Sequence, residues 1–183
     1  MSWRIERLAT DGPLFEGAID VYSRAFAQPP YSDPGRGDEI RSRMVEVHCL
    51  REGYRAFCAV EGEGCVLGMA YGYHGLPGQW WHDTVAAALS RAAANRWLSD
   101  SYEVVEVAVA PEHQGRGVGA SLIRELLDGR PESTAVLSTR ADSRAHVLYG
   151  RLGFEILTTM RFAPRGAPFY VMGLGLNAAG GVK

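Results

Sequence analysis

A glycine-rich turn is the segment of this 183-residue chain whose residue types and spacing most directly predict a binding site. Its sequence is Gln114-Gly115-Arg116-Gly117-Val118-Gly119, and it lies between a valine-rich strand and an amphipathic helix. Glycines let a ligand approach the backbone closely, and the N–H groups and dipole of a helix N-terminus attract anions. Each such interaction contributes about 0.3–1 kcal/mol, so several of them together with Arg116 would hold a pyrophosphate. A turn that only packs the helix against the sheet is the alternative, although packing alone needs one glycine.

Two familiar phosphate-binding motifs do not match this turn fully. A Walker loop needs a lysine before Ser or Thr, and the only lysine of the chain is Lys183. A dinucleotide-binding fingerprint is matched at Gly115, Gly117 and Ala120. That fingerprint opens directly after its strand, however, whereas residues 111–114 intervene here. A dinucleotide-binding oxidoreductase domain is therefore the weaker alternative.

Two segments resemble the acetyl-CoA signatures of the GNAT N-acetyltransferase superfamily. Residues 107–119 match its core pattern, Gln/Arg-x-x-Gly-x-Gly/Ala. Residues 142–154 are similar to its second signature, Asn-x-x-Ala-x-x-Leu-Tyr-x-Lys/Arg-x-Gly-Phe, with Asp142 where the family often has Asn. The element order fits the family along residues 3–176, although residues 1–100 carry no signature of their own.

The resemblance implies an α/β fold in which a central mixed, mostly antiparallel sheet is flanked by helices and a splayed pair of parallel strands binds CoA. It also implies acetyl-CoA as cosubstrate, direct transfer to a primary amine, and no metal. The residues that it assigns to acetyl-CoA are Val107, Ala108, Val109, Gln114, Gly115, Arg116, Gly117, Val118, Gly119, Ala120, Asp142, Ala145, Tyr149 and Arg151.

Acetyl transfer to an amine needs a neutral nitrogen, and neutralising an alkylammonium group at pH 7 costs roughly 4.6 kcal/mol. Glu106 is the first candidate for the base, because it interrupts a valine run just before Val107 and burial there would raise its pKa. Glu103 is the alternative. Their odd spacing puts the two on opposite faces of an unbulged strand, so only one of them should face the acceptor.

Tyr149 matches the family's tyrosine that donates a proton to the CoA thiolate, and a phenol stays protonated at neutral pH. A tyrosine that only packs on its helix is the alternative. Candidate acceptor-binding residues are aromatic and would stack on an amine: Tyr31, Tyr73, Trp80 and Trp81. Core packing would explain at least half of the aromatic residues around these positions equally well. His74 and His82 are interpreted as structural.

The elements that would position these residues follow from hydrophobic periodicity and turn residues. Strands are predicted over residues 3–8, 54–60, 65–73, 103–110, 135–139, 154–162 and 169–176. Helices are predicted over residues 14–26, from a cap at Asp38 to Gly53, over 79–98 as one long helix, over 118–127 and over 143–152.

Composition favours a single domain over residues 1–177 with a flexible tail at 178–183. A net charge of −2 argues against nucleic acid as the main partner. The three cysteines lack the spacing of a zinc or redox site, and the chain has no apolar signal or membrane segment, which favours a cytoplasmic protein. We therefore expect an acetyl-CoA-dependent N-acetyltransferase with a small-molecule or peptide amine acceptor. A homodimer is left open, and a CoA-binding sensor without catalysis is the competing function.

Overall fold

The computed structural model describes residues 2–176, so the predicted tail at 178–183 lies outside the described residues. The strands are β1 (Arg4–Arg7), β2 (Arg55–Glu61), β3 (Cys65–Gly75), β4 (Ser101–Val109), β5 (Thr134–Arg140), β6 (Glu155–Met160) and β7 (Phe169–Gly175). The helices are α1 (Gly12–Phe26), α2 (Arg36–Glu46), α3 (Trp80–Ala88), α4 (Arg91–Leu98), α5 (Val118–Leu127) and α6 (Ala145–Arg151). Within residues 2–176, no helix has both the length and the apolar content needed to cross a membrane.

The strands form one seven-stranded sheet in the order β1-β2-β3-β4-β5-β7-β6. The pairs β1–β2, β2–β3, β5–β7 and β6–β7 are antiparallel, and β4–β5 is parallel. The predicted mixed, mostly antiparallel sheet is therefore confirmed. The parallel ladder joins residues 101–103 of β4 to residues 134–136 of β5, whereas β4 runs on to Val109 and β5 to Arg140.

The chain divides into two compact units, and the first comprises residues up to Tyr73 together with 105–126. Helices α1 and α2 cover its strands with an apolar core that includes Phe15, Met44 and Met69. Gly37 lets α2 lie close to α1, because a Cβ at this position would come within 1.9 Å of the Ser23 hydroxyl oxygen. This close approach fixes the start of α2.

The second unit comprises residues 74–104 and the chain from Leu127 onward. Its core includes Val85, Trp97, Val136 and Val171. Gly173 on β7 admits the Trp97 ring, since a Cβ there would lie 2.7 Å from that ring. Helix α4 is thereby held against this part of the sheet.

The prediction of one long helix over residues 79–98 was wrong, because α3 ends at Ala88 and α4 begins at Arg91. Leu89 has extended backbone angles, and the Ser90 Oγ accepts a hydrogen bond of 3.2 Å from the Ala93 amide. A serine that satisfies an orphan amide in this way starts a new helix. Helix α2 also begins earlier than predicted, at Arg36 with Gly35 as its cap.

Candidate active site

The glycine-rich turn connects β4 to α5 in the first unit. Gly115 and Gly117 have φ angles of 75° and 91°, the left-handed region that favours glycine. A Cβ on either residue would meet no atom within 4 Å, so their exposed faces open on unfilled space. The Gln114 side chain donates a 3.0 Å hydrogen bond to the carbonyl oxygen of Val109 and joins the turn to the end of β4.

Buried apolar residues anchor α5 behind this turn. Val118 and Leu122 are at most 1% exposed. A Cβ on Gly68 of β3 would lie 3.1 Å from each of these two side chains, so the glycine lets the helix approach the strand. The first amides of α5 have no partner within the helix, and Arg116 beside them is exposed. Backbone amides, open glycines and a cation together fit a pyrophosphate group.

Glu106 on β4 belongs to a three-residue polar network within the first unit. Its carboxylate accepts a hydrogen bond from the Tyr22 hydroxyl and lies 3.5 Å from an Arg36 guanidinium nitrogen. The Arg36 Nε donates a 2.7 Å hydrogen bond to the same Tyr22 hydroxyl oxygen. The Glu106 side chain is 14% exposed, so solvent screens this ion pair weakly.

Opposing effects set the proton affinity of Glu106. Burial raises the pKa of its carboxyl group above the ordinary value, while the Arg36 charge and the Tyr22 hydrogen bond oppose that rise. Burial and the Glu106 charge also raise the pKa of Tyr22 well above its usual range, so this phenol stays protonated. The arrangement is a largely buried carboxylate with the Tyr22 hydroxyl and the Arg36 guanidinium beside it.

Two aromatic rings hold the Arg36 side chain. Its guanidinium carbon lies 4.4 Å from the Phe26 ring centre and 5.4 Å from that of Tyr31. Tyr31, predicted as an acceptor-binding residue, therefore contacts Arg36 and packs edge-on against Phe26.

Tyr73, also predicted to bind the acceptor, is 3% exposed. Its ring packs edge-on against His48 at 5.2 Å, and Arg51 lies 4.5 Å above it. The neighbouring Tyr71 hydroxyl is 2.9 Å from the His48 Nδ1. Burial, with the charges of Arg51 and Arg43, lowers the pKa of His48 to about 4, so this imidazole is neutral at pH 7.

Glu103 and Tyr149 lie in the second unit. Glu103 is 3% exposed and pairs with Val136 in the parallel ladder. Tyr149 on α6 is 7% exposed, and its ring packs edge-on against Phe154 at 5.9 Å. The packing that the alternative interpretation of Tyr149 requires is thus present.

The other residues of the second signature lie at the end of β5 and on α6. Ala145 begins α6, and Arg151 is its exposed last residue. Asp142 forms a two-pronged ion pair with Arg140, at 2.9 and 2.7 Å, and this guanidinium lowers the pKa of its carboxyl group. The residue that departs from the family pattern is therefore held by the last residue of the preceding strand.

The two tryptophans predicted to bind the acceptor have different surroundings. Trp80 is 67% exposed and packs against Phe162 at 5.4 Å. Trp81 is partly buried against the core of the second unit, and its indole nitrogen donates a 2.9 Å hydrogen bond to the Ser138 hydroxyl. Core packing therefore accounts for Trp81 better than for Trp80.

His74 and His82, which the sequence analysis interprets as structural, each contact other residues of the second unit. The His74 Nδ1 lies 3.1 Å from the Glu132 carboxylate. The two ring nitrogens of His82 lie 3.0 Å from Asp83 and 3.3 Å from the Leu98 carbonyl oxygen. Across residues 2–176, no three His, Cys, Asp or Glu side chains are grouped so that they could hold a metal ion.

Sequence reasoning missed the partners of Glu106. Tyr22 follows the helical spacing of α1 and resembles any core aromatic, and Arg36 lies just before the helix predicted from a cap at Asp38. Gly37 is a signal of close packing near the start of a helix, but it does not indicate that Arg36 meets Glu106.

Comparisons with known proteins agree with this architecture. A family model described as an acetyltransferase (GNAT) domain matches residues 52–156. The chain is 35% identical to a GCN5-like protein acetyltransferase of Mycobacterium tuberculosis, over 85% of this chain and 88% of the relative. It is 39% identical to the N-alpha-acetyltransferase RimI of the same organism, over 39% of this chain and 47% of that protein.

Solved structures show the same fold. The ribosomal-protein-S18-alanine N-acetyltransferase of Escherichia coli superposes with a TM-score of 0.64 at 22% identity, covering 98% of this chain and 97% of that one. A phosphinothricin acetyltransferase of Sinorhizobium meliloti, solved with AcCoA, superposes with a TM-score of 0.63 at 17% identity. The superposition covers 96% of this chain and 89% of that one. Together with the sequence matches, these findings show that the chain belongs to the GNAT acetyltransferase family.

Proposed function

We propose that this protein transfers the acetyl group of acetyl-CoA to a primary amine by direct attack in a ternary complex. The observation that carries the proposal is the largely buried Glu106 carboxylate on β4, the strand that precedes the open glycine turn. Amine acetylation from a CoA thioester needs the thioester held in place and a base for the amine, and these two features supply both.

In this proposal, the α5 amides and Arg116 bind the pyrophosphate of acetyl-CoA. The backbone of residues 107–109 pairs with the pantetheine arm and directs the thioester toward Glu106. Glycines at 115 and 117 leave the space that the diphosphate needs. The roles of Asp142, Ala145 and Arg151 at CoA stay predictions.

Protons move in the order that the reaction dictates. Glu106 accepts a proton from the acceptor ammonium group, directly or through one water, which frees the nitrogen lone pair. The nitrogen forms a bond to the thioester carbonyl carbon, and the carbon–sulfur bond breaks. Tyr149 donates its hydroxyl proton to the departing thiolate, and the proton that the acylated nitrogen then loses neutralises the resulting tyrosinate. The products are an N-acetyl amide and CoA, and Glu106 returns its proton to solvent.

The curated relatives suggest which amines to test first. One is named a protein acetyltransferase and the other an N-alpha-acetyltransferase. We therefore extend the proposal to protein or peptide amines as preferred acceptors, ahead of small molecules. A cytoplasmic location accompanies the proposal, and the net charge of −2 supports the absence of nucleic acid and membrane partners. Among the predicted acceptor-binding aromatics, Trp80 has the most exposed side chain, which supports keeping it as a candidate.

An acceptor screen tests the proposal. The purified protein is incubated with acetyl-CoA and, separately, with peptides bearing free N-termini, lysine peptides and small primary amines. Release of the CoA thiol is followed, and mass spectrometry locates the added acetyl group. We expect turnover with at least one peptide amine. Tight acetyl-CoA binding without turnover on any amine would instead support the CoA-binding sensor.

A further inference from the structure

Arg36 is the charged residue nearest to the proposed base that no sequence motif identified. Arg36 is the first residue of α2. Its side chain is about one-third exposed, whereas the Glu106 side chain is 14% exposed. By comparison, the Arg24–Glu112 pair of the same unit is 43% and 53% exposed. A partly buried cation beside a buried carboxylate is much less screened than such a surface pair.

The donors and acceptors of the network fix the direction of its hydrogen bonds. A guanidinium group can only donate, so the Tyr22 hydroxyl oxygen must accept from the Arg36 Nε. The phenol has one proton, and the bond to Glu106 uses it. Arg36 therefore polarises the hydroxyl that donates to the carboxylate, besides lying 3.5 Å from that carboxylate itself.

Packing holds the guanidinium in this place. Phe26 and Tyr31 stack on it, and the close contact of Gly37 with Ser23 brings the first turn of α2 against α1. Both supports lie outside the ion pair. The position of Arg36 therefore has supports besides its ion pair with Glu106.

We propose that Arg36 is a positioning residue that acts directly and through the Tyr22 hydroxyl to keep Glu106 ionised and ready to accept the acceptor's proton. The inference rests on the proposed role of Glu106 as the base. A carboxylate buried without a cation takes up a proton and cannot act as a base near neutral pH.

Other charged and titratable groups also act on Glu106. Helix α2 contributes the more distant Arg43, which adds to the effect of Arg36. Strand β3 contributes Tyr71, which stays neutral because burial and the Glu106 charge raise its pKa. Arg36 therefore supplies the larger part of the positive charge that this carboxylate experiences.

The test compares charge removal at two arginines of the same helix. Arg36→Met removes the cation, and Arg36→Gln removes it while keeping a donor for Tyr22. Arg36→Lys keeps the charge. Arg41→Met is the matched control, because Arg41 pairs with Glu16 at the surface and stacks on Phe15. Circular dichroism and thermal melting identify the folded variants.

Two readouts are taken for each variant. One is the acidic limb of the kcat/KM profile against pH, and the other is the carbon-13 titration of the Glu106 carboxyl carbon, assigned with Glu106→Gln. We expect both to move to higher pH by about one unit or more in Arg36→Met and Arg36→Gln. Arg36→Lys should move them less, and Arg41→Met should leave both in place.

The outcomes separate this inference from the proposed function. Identical Glu106 titrations in wild type, Arg36→Met and Arg36→Gln would overturn it. A shifted titration with an unmoved acidic limb would support control of Glu106 by Arg36 and contradict Glu106 as the base. If the wild type transfers no acetyl group, the proposed function fails, and the titration alone decides whether Arg36 controls the carboxylate.

Discussion

The two candidate bases have different surroundings at the residue scale. Strand alternation predicted that Glu103 and Glu106 face opposite ways, and burial was predicted to raise the pKa of Glu106. The raised pKa is confirmed, since burial is the largest influence on this carboxyl group. Its partners could not be predicted, because Tyr22 and Arg36 lie on helices far earlier in the chain and only the tertiary fold brings them to β4.

Removal of the Tyr149 hydroxyl tests its proposed role as proton donor. Tyr149→Phe keeps the edge-on contact with Phe154, so the fold and acetyl-CoA affinity should change little. The kcat should fall by about 10- to 1,000-fold, the range of general-acid effects. Steady-state kinetics under conditions where chemistry limits turnover provides the measurement.

Tyr170→Phe is the matched control, because it removes the same atom from β7 of the same unit. We expect it to keep the wild-type rate. A Tyr149→Phe enzyme as fast as this control would leave Tyr149 with a packing role only.

At the scale of elements, the segments that carry strong local signals were predicted well. The strand, turn and helix around residues 103–127 match β4, the glycine turn and α5 within about two residues at each end. The break between α3 and α4 was missed, because the alanine-rich periodicity continues across it and a single serine cap marks it. Residue spacing identifies a helical face, but one capping hydrogen bond decides where a new helix begins.

A carboxylate in the glycine turn tests the phosphate site. Gly117→Glu should weaken acetyl-CoA binding by at least about 100-fold, because a negative charge would lie in the proposed pyrophosphate position. Isothermal titration calorimetry on the folded variant gives the affinity. Gly129→Glu is the matched control, since Gly129 also has a positive φ, of 63°, with no atom near a Cβ. Equal affinities for the two variants would contradict the assignment.

At the scale of the whole molecule, element order and two local motifs sufficed to predict the sheet class. A buried ion cluster in the second unit, formed by Arg130, Glu132 and His74, could not be predicted from the sequence. Glu132, 3% exposed, binds Arg130, whose guanidinium lies 4.3 Å from the Tyr102 ring, and it also contacts His74. His74 was singled out in the sequence, but Arg130 and Glu132 lie in a turn whose residues alone indicate only exposure. Whether the chain folds as a single domain stays a prediction.

Arg130→Met tests how much this cluster contributes to stability. Burial tends to raise the Glu132 pKa, but hydrogen bonds from Arg130 and neighbours leave it lowered overall. The ion pair therefore stabilises the fold above the ordinary carboxyl pKa and loses this contribution as the pH falls. The variant leaves a buried carboxylate without its main partner and should lose about 3–5 kcal/mol of unfolding free energy at pH 7. Urea unfolding at pH 7 and pH 4 should show a smaller loss in acid.

The double variant Arg130→Met with Glu132→Gln removes the stranded charge and should recover most of that loss. Equal stabilities of the single and double variants at pH 7 would mean that the carboxylate is not the source of the cost.

Glu106 is the residue that we propose deprotonates the acceptor amine in acetyl transfer. The rate of acetyl-CoA-dependent peptide acetylation in Glu106→Gln and Glu103→Gln, measured side by side with the wild type, tests this role most directly. Both substitutions preserve shape and remove one carboxylate from the same strand. We predict that Glu106→Gln lowers kcat/KM by about 100- to 10,000-fold while Glu103→Gln keeps most of the activity. Loss of activity in Glu103→Gln with retention in Glu106→Gln would contradict the account.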